Sequence, residues 1–324
     1  MTQLDFIKFL GLLHLVLILS GCVSLNVASL STLELSDSAT VLSEAEGGIN
    51  FQGVPLKSGQ IIVSDNNAAM NLIVTFTDTE YHPFSHAGII SIEQGKPYVY
   101  QAAVQLKLLF RESATDLTTG SVMRISLAEF VNATTVAAIY NPSSAELGKS
   151  MVAFARHAYG KKLPYDAVFD PVDRSKVYCS EFIVSAMEFG HGQAVPLRLR
   201  NRHSSIDTLY EWLNIDTNRH YFVSDLVSNE NRVVLLSTKL TARQIELHFA
   251  LREELYRRFT ADQKIGNILS WSTFGPVFRP QVASFIQRGL DQDFRKPFEG
   301  EATRNWVRAL ANQMFGAIEG NDRL

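Results

Sequence analysis

The sequence predicts an α+β fold: an antiparallel sheet, a helix bearing one cysteine packed against it, and a helical C-terminal extension. Three observations predict it. Short β-branched runs bounded by turn residues, at 61–63, 86–92 and 98–102, have the length and composition of strands. Gln94-Gly95-Lys96-Pro97 joins the last two as a hairpin, which makes them antiparallel. From Thr241 the texture changes to longer apolar-periodic stretches, opened by the capping-box pattern Thr241-Ala242-Arg243-Gln244. At 324 residues, 46% hydrophobic and 19% charged, the chain can bury one large core or two modest ones. A net charge of −3 supplies no global basic field, so nucleic acid is not an expected partner. The chain carries no repeat of solenoid type, no low-complexity tract and no CxxC pair of the kind that holds structural zinc.

Residues 1–21 open with a polar stretch containing Lys8, continue through an apolar run at 9–18, and end in Leu19-Ser20-Gly21 before Cys22. The run is too short to span a bilayer comfortably and is followed by small residues, so it reads as a signal peptide. Leu19-Ser20-Gly21-Cys22 resembles the lipobox of bacterial lipoproteins. The resemblance implies cleavage before Cys22, lipid attachment to that residue and a membrane tether of acyl chains. Val23 in place of Asp fits sorting to an outer membrane, facing the periplasm. Residues 22–50, rich in Ser, Thr, Ala and Glu, read as the lipidated cysteine and a flexible tether.

The folded region is expected at 51–239. A turn at Ser58-Gly59 precedes the first strand, a short helix is expected at 67–76, and further strands at 104–110, 122–126 and 134–140. Residues 144–159 read as a helix, with Ser143 or Ser144 as cap and Gly160 as stop. Residues 221–223 and 233–236 supply late strands. The remainder, 240–324, reads as helix and loop, interrupted at Gly275-Pro276 and Arg279-Pro280; Trp212, Trp271 and Trp306 are expected to pack within and between the two regions.

With Cys22 assigned to processing, Cys179 is the one thiol left for chemistry. It opens an apolar-periodic run at 179–189 that ends at Gly190, which places it in the first turn of a helix. Orphan N–H groups and the positive dipole end at that position favour thiolate over thiol. The competing reading is a buried structural cysteine, the commoner fate of a lone Cys. A nucleophilic thiol needs a base and a polar group to orient that base. His86 and Gln101, one on each arm of the hairpin, are the candidates. Asp78, Glu80, His82 and His86 invite a metal reading, but Pro83 and Gly88 break the helix that would set two imidazoles on one face, so no metal or other cofactor is expected. Glu181 reads as a helix-start charge that complements the dipole.

The ordered set His86-Ala87-Gly88-Ile89-Ile90, Val99-Tyr100-Gln101-Ala102, Gly160, Pro164-Tyr165-Asp166, Phe169 and Tyr178-Cys179-Ser180-Glu181-Phe182 resembles the YiiX/YebB-like group of permuted papain-fold cysteine amidases, relatives of the NlpC-type peptidases and of lecithin retinol acyltransferase. The match spans residues 56–238. It implies a permuted papain-like (NlpC-like) domain in which the histidine strand precedes the cysteine helix, with Cys179 as nucleophile and His86 as general base. Gln101 falls where the group has Glu or another polar residue; it can hold the imidazole but brings no charge. Tyr165 matches a tyrosine near the nucleophile, as an oxyanion donor or as a structural support. The implied substrate is an amide or ester of the bacterial cell envelope, a peptidoglycan peptide or an acylated molecule. The alternatives are a non-catalytic lipid- or glycan-binding lipoprotein and an acyltransferase on the same fold. The sequence does not specify the oligomeric state.

Overall fold

The computed structural model describes residues 39–43, 48–51, 54–66, 68–104, 120–166, 169–192, 199–201, 203–204, 207, 219–262, 265–272, 275–292 and 300–318. The expected signal peptide, Cys22, Trp212 and the expected strand at 104–110, apart from Val104, lie outside them. No helix among the described residues is long and apolar enough to cross a membrane.

In chain order the strands are β1 (Ala39–Ser43), β2 (Gly48–Phe51), β3 (Val54–Lys57), β4 (Ile61–Asp65), β5 (His86–Glu93), β6 (Lys96–Val104), β7 (Gly120–Ser126), β8 (Val136–Tyr140), β9 (Arg200–Asn201), β10 (Arg219–His220), β11 (Arg232–Leu236), β12 (Leu269–Ser272) and β13 (Gly275–Phe278). The helices are α1 (Ala69–Thr77), α2 (Leu127–Ala133), α3 (Ala145–Gly160), α4 (Cys179–His191), α5 (Ala242–Asp262), α6 (Pro280–Leu290) and α7 (Glu301–Phe315). The chain is mixed α and β, and its main sheet has six strands in the order β11-β8-β4-β5-β6-β7, every neighbouring pair antiparallel.

β4 and β8 are buried along their whole length, which is why both read as continuous apolar runs and not as alternating ones. Alternation sorts their side chains between two layers. Ile61, Val63, Ala87, Ile89 and Tyr100 pack with Met151 and Ala155 of α3 and Phe182 and Ile183 of α4. Ile62, Ile90, Val99 and Ile139 pack with Leu127 and Phe130 of α2 and with Ile49, Phe51 and Leu56. The turn into β4 runs hard against α3: a Cβ on Gly59, whose φ is +92°, would lie 2.2 Å from Gly148 Cα. Only glycine combines that backbone and that approach.

Four expectations need correction. The tether predicted at 22–50 contains β1 and most of β2, which join β3 in a small antiparallel sheet; Ile49 and Phe51 alternate into the core, a pattern hidden among polar neighbours. α2 was not expected, although Ser126 caps it by accepting from Glu129 N–H at 3.1 Å, a signal legible as Ser-x-x-Glu. The residues expected as a strand at 221–223 follow the two-residue β10, with 221–222 in no regular element and Val223 opening a 3₁₀ turn at Val223–Asp225. The C-terminal region includes the hairpin β12–β13.

The line drawn at residue 239 marks a change of texture that the core crosses. α1 turns its apolar side toward α5, and Leu72 and Phe76 share one cluster with Leu251, Leu255, Phe259, Phe285 and Val307. Phe76 stacks on Phe259, with ring centroids 4.0 Å apart.

Candidate active site

Cys179 is the first residue of α4, with Tyr178 as its N-cap, so its backbone N–H is one of the first-turn amides that an α-helix leaves without an intrahelical partner. α4 packs against β5 and β6 through Phe182 and Ile183, and this packing delivers the thiol to the start of β5. Sγ lies 4.0 Å from the carbonyl oxygen of Ser85, the residue before His86. His86 Nε2 and Gln101 Oε1 are 2.6 Å apart. With Nε2 taken up by Gln101, Nδ1 is the ring nitrogen left for the thiol. Cys179, His86 and Gln101 are 7%, 7% and 5% exposed, so the three sit in a largely dry setting.

The glycine of the His-Ala-Gly run has a local reason. A Cβ on Gly88 would stand 2.7 Å from Val99 Cγ1, 2.9 Å from the Tyr100 carbonyl and 3.5 Å from Gln101 Cβ. Its absence lets β6 close on β5 beside the pair. Phe130 of α2 lies along the imidazole, ring centroids 6.1 Å apart and planes 24° from parallel.

Burial pulls the His86 imidazole toward its neutral form, but the hydrogen bond and charge of Cys179 and the hydrogen bond to Gln101 outweigh it. The net effect sets His86 above the ordinary histidine value. The arrangement therefore favours a proton on His86 when the sulfur carries negative charge.

A cleft of about 50 Å³ opens beside Cys179, walled by Val74, Phe169, Tyr178, His220, Phe222 and Val223. The residues on either side of the cysteine hold its far wall. The Tyr178 hydroxyl accepts from Tyr221 N–H at 2.9 Å, and the Ser180 hydroxyl donates to the Tyr221 carbonyl at 2.7 Å. Residues 221–223, expected as a strand, are thus part of the cleft wall, to which they contribute two aromatic side chains and a valine. His220, which sequence reasoning did not single out, is buried, sits 3.0 Å through Nδ1 from the Phe169 carbonyl, and meets Phe169, Tyr178 and Phe222 edge-on.

Tyr165 lies elsewhere. It forms an isolated bridge with Val177 and packs partly buried against the core beneath α4, outside the residues that line the cleft. That place suits support of the loop, and Tyr178 is the tyrosine beside the sulfur. Glu181 departs from its expected part as a charge at the helix start. It is fully buried, and burial lifts its carboxyl to about 8 against the opposing effect of Arg174 3.5 Å away. Near neutral pH it is mostly protonated and adds little charge to the helix start. Asp78 is committed to Arg200 at 2.7 Å and His86 to Gln101, so the two ends of the Asp78-Glu80-His82-His86 set do not converge. Among the described residues no group of three or more His, Cys, Asp or Glu side chains is placed to hold a metal ion.

No family model and no curated protein matches the sequence. Among solved structures, the chain is similar to the crystal structure of metalloprotein yiiX from Escherichia coli O157:H7, at 18% identity and a TM-score of 0.41, over 56% of this chain and 96% of that one. The likeness is a distant one.

Proposed function

We propose that the protein is a thiol-dependent hydrolase of the permuted papain-like kind, with Cys179 as nucleophile, His86 as general base and acid, and Gln101 as the group that orients His86. The observation that carries this reading is the placement of one buried imidazole, held by Gln101 Oε1 at 2.6 Å from Nε2, next to Ser85, whose carbonyl lies 4.0 Å from Cys179 Sγ. Sγ attacks the carbonyl carbon of an amide or ester as its proton passes to His86 Nδ1, and the backbone N–H of Cys179 faces the developing oxyanion. Collapse of the tetrahedral intermediate breaks the bond to the leaving amine or alcohol, which takes the proton from His86. Water, deprotonated by the same imidazole, then cleaves the thioester and releases the acid and the free thiol.

The walls of the cleft are mainly apolar, which favours an acylated molecule over a charged stem peptide as the source of the acyl group. In this reading the substrate belongs to the bacterial cell envelope, and lipid on Cys22 holds the enzyme at the outer membrane, facing the periplasm. Attack on the thioester by an acceptor hydroxyl or amine faster than by water, with the acyl group passing to that acceptor and the thiol released, would make the same site an acyltransferase, which product analysis separates from a hydrolase.

The test is a p-nitrophenyl acyl ester series on the intact mature protein. A burst of nitrophenolate equal to the enzyme, with the acyl mass on the peptide that contains Cys179 and none in Cys179→Ser, is the expected result. No burst and no adduct with any chain length contradicts the nucleophile assignment and leaves a cleft that only binds.

A further inference from the structure

The segment that leads into His86 takes little of its shape from the main sheet. The β4–β5 pairing ends with Ser64 opposite His86, and residues 78–85 lie beyond it. Helix α5 of the C-terminal region holds this segment at several points. The Tyr81 hydroxyl donates to the Phe249 carbonyl at 3.0 Å, and the Tyr256 hydroxyl donates to the Asp78 carbonyl at 2.9 Å.

Asp65, the last residue of β4, makes the central connection. Its fully buried carboxylate meets His248 Nε2 at 2.9 Å and Arg252 Nη2 at 3.1 Å, both on α5 and each 1% exposed. The same carboxylate accepts from the Ser85 hydroxyl at 3.4 Å, and that hydroxyl accepts from Asn71 Nδ2 of α1 at 2.7 Å. The backbone of Ser85 also donates to the Ser64 carbonyl at 3.0 Å. Ser85 immediately precedes the base, and its own carbonyl lies 4.0 Å from the nucleophilic sulfur.

We propose that α5 is part of the catalytic unit, with Asp65, His248 and Arg252 as positioning residues that act through Ser85 to set the spacing of His86 and Cys179. The proposal rests on the hydrolase reading and adds to it a role for the C-terminal region. A side chain at Asp65 that merely filled space would not need an imidazole partner and a guanidinium in ion-pair range from a helix more than a hundred and eighty positions away. Nor would it need a hydroxyl contact to the residue that touches both members of the pair. Small displacements at this point are costly because proton transfer between sulfur and imidazole depends steeply on their separation.

The experiment uses the full chain and the variants His248→Phe, His248→Gln and Ser85→Ala. It follows the rate of Cys179 alkylation by iodoacetamide at neutral pH, the titration of the His86 ring by NMR, and the near-ultraviolet circular dichroism as a check of fold. His248→Phe and Ser85→Ala are expected to slow alkylation by about tenfold and to move the His86 titration downward, because a displaced sulfur supports the imidazolium less. His248→Gln keeps an N–H donor for Asp65 and is expected to stay within about threefold of the parent. Ser85→Ala removes one hydroxyl only and decides the matter if His248→Phe does not fold. Folded variants that match the parent in both rate and titration overturn the proposal while the hydrolase reading stands. A parent protein that alkylates no faster than its urea-unfolded chain removes the hydrolase reading, and the proposal with it.

Discussion

Two buried imidazoles in this molecule are held in similar ways and surrounded by opposite chemistry. His86, at the end of the main sheet, meets the neutral Gln101 at 2.6 Å and a thiol. His248, where α5 meets β4, meets the carboxylate of Asp65 at 2.9 Å in the company of Arg252. The first has a partner that fixes its direction and brings no charge. The second is bound to a carboxylate that also faces a buried guanidinium, an ion pair that is expensive to separate in the interior. The two histidines are both buried and differ in the partners that surround them.

That contrast breaks most visibly at the working site. Cys179→Ala or His86→Ala should reduce acyl-enzyme formation by about 10³-fold or more, since nucleophile and base act as one unit. Stopped-flow measurement of the nitrophenolate burst checks it, and a loss confined to one of the two variants would show that they do not. At the supporting site the expected loss is of stability. Asp65→Ala leaves Arg252 buried without its carboxylate and should cost about 3–5 kcal/mol in urea unfolding. An Asp65→Ala midpoint equal to the parent's would mean that water, not Asp65, answers the guanidinium.

Changing the neutral partner sharpens the comparison further. Gln101→Glu brings a carboxylate against the imidazole and should raise His86 beyond its present elevated value, extending the imidazolium form to higher pH. Gln101→Leu removes the orienting contact and should lower the acylation rate by about tenfold to a hundredfold. Comparing the pH dependence of acylation in the two variants tests both statements, and profiles that superimpose would mean that Gln101 does not orient the base.

A separate effect is expected on the pH dependence of stability, through Glu181. Its folded-state value of about 8 stands above the ordinary 4.5, so the folded chain keeps a proton that the unfolded chain gives up. The resulting stability is fully present below 4.5, declines as pH rises and is gone above about 8. Glu181→Gln should therefore gain on the parent in thermal midpoint as pH is raised from 5 to 8, with no further gain beyond. A constant difference across that range would contradict the raised value.

How much of this was readable beforehand depended on how local the signal was. Cys179 announces itself as a lone thiol at the start of an apolar-periodic helix, and His86 and Gln101 sit on two arms of one hairpin; the structure joins these two at 2.6 Å. The cleft was not readable. Its wall comes from Phe169, His220 and Phe222, and residues 221–223, strand-like in composition, line it without pairing in a sheet. Glu181 misled because position in a helix says nothing about which way the carboxylate points, and here it points inward. Asp65 and His248, separated by 183 positions, carry no sequence signal of their partnership at all. Their pairing follows from α1 and α5 sharing a core, a fact of packing alone.

The central claim, that Cys179 and His86 work as a pair, is tested most directly by the pH profile of Cys179 alkylation in the intact protein with and without His86. The parent should react faster than its unfolded chain at neutral pH, and His86→Ala should lose this excess while keeping its fold. Superimposable profiles for the parent and His86→Ala would contradict it.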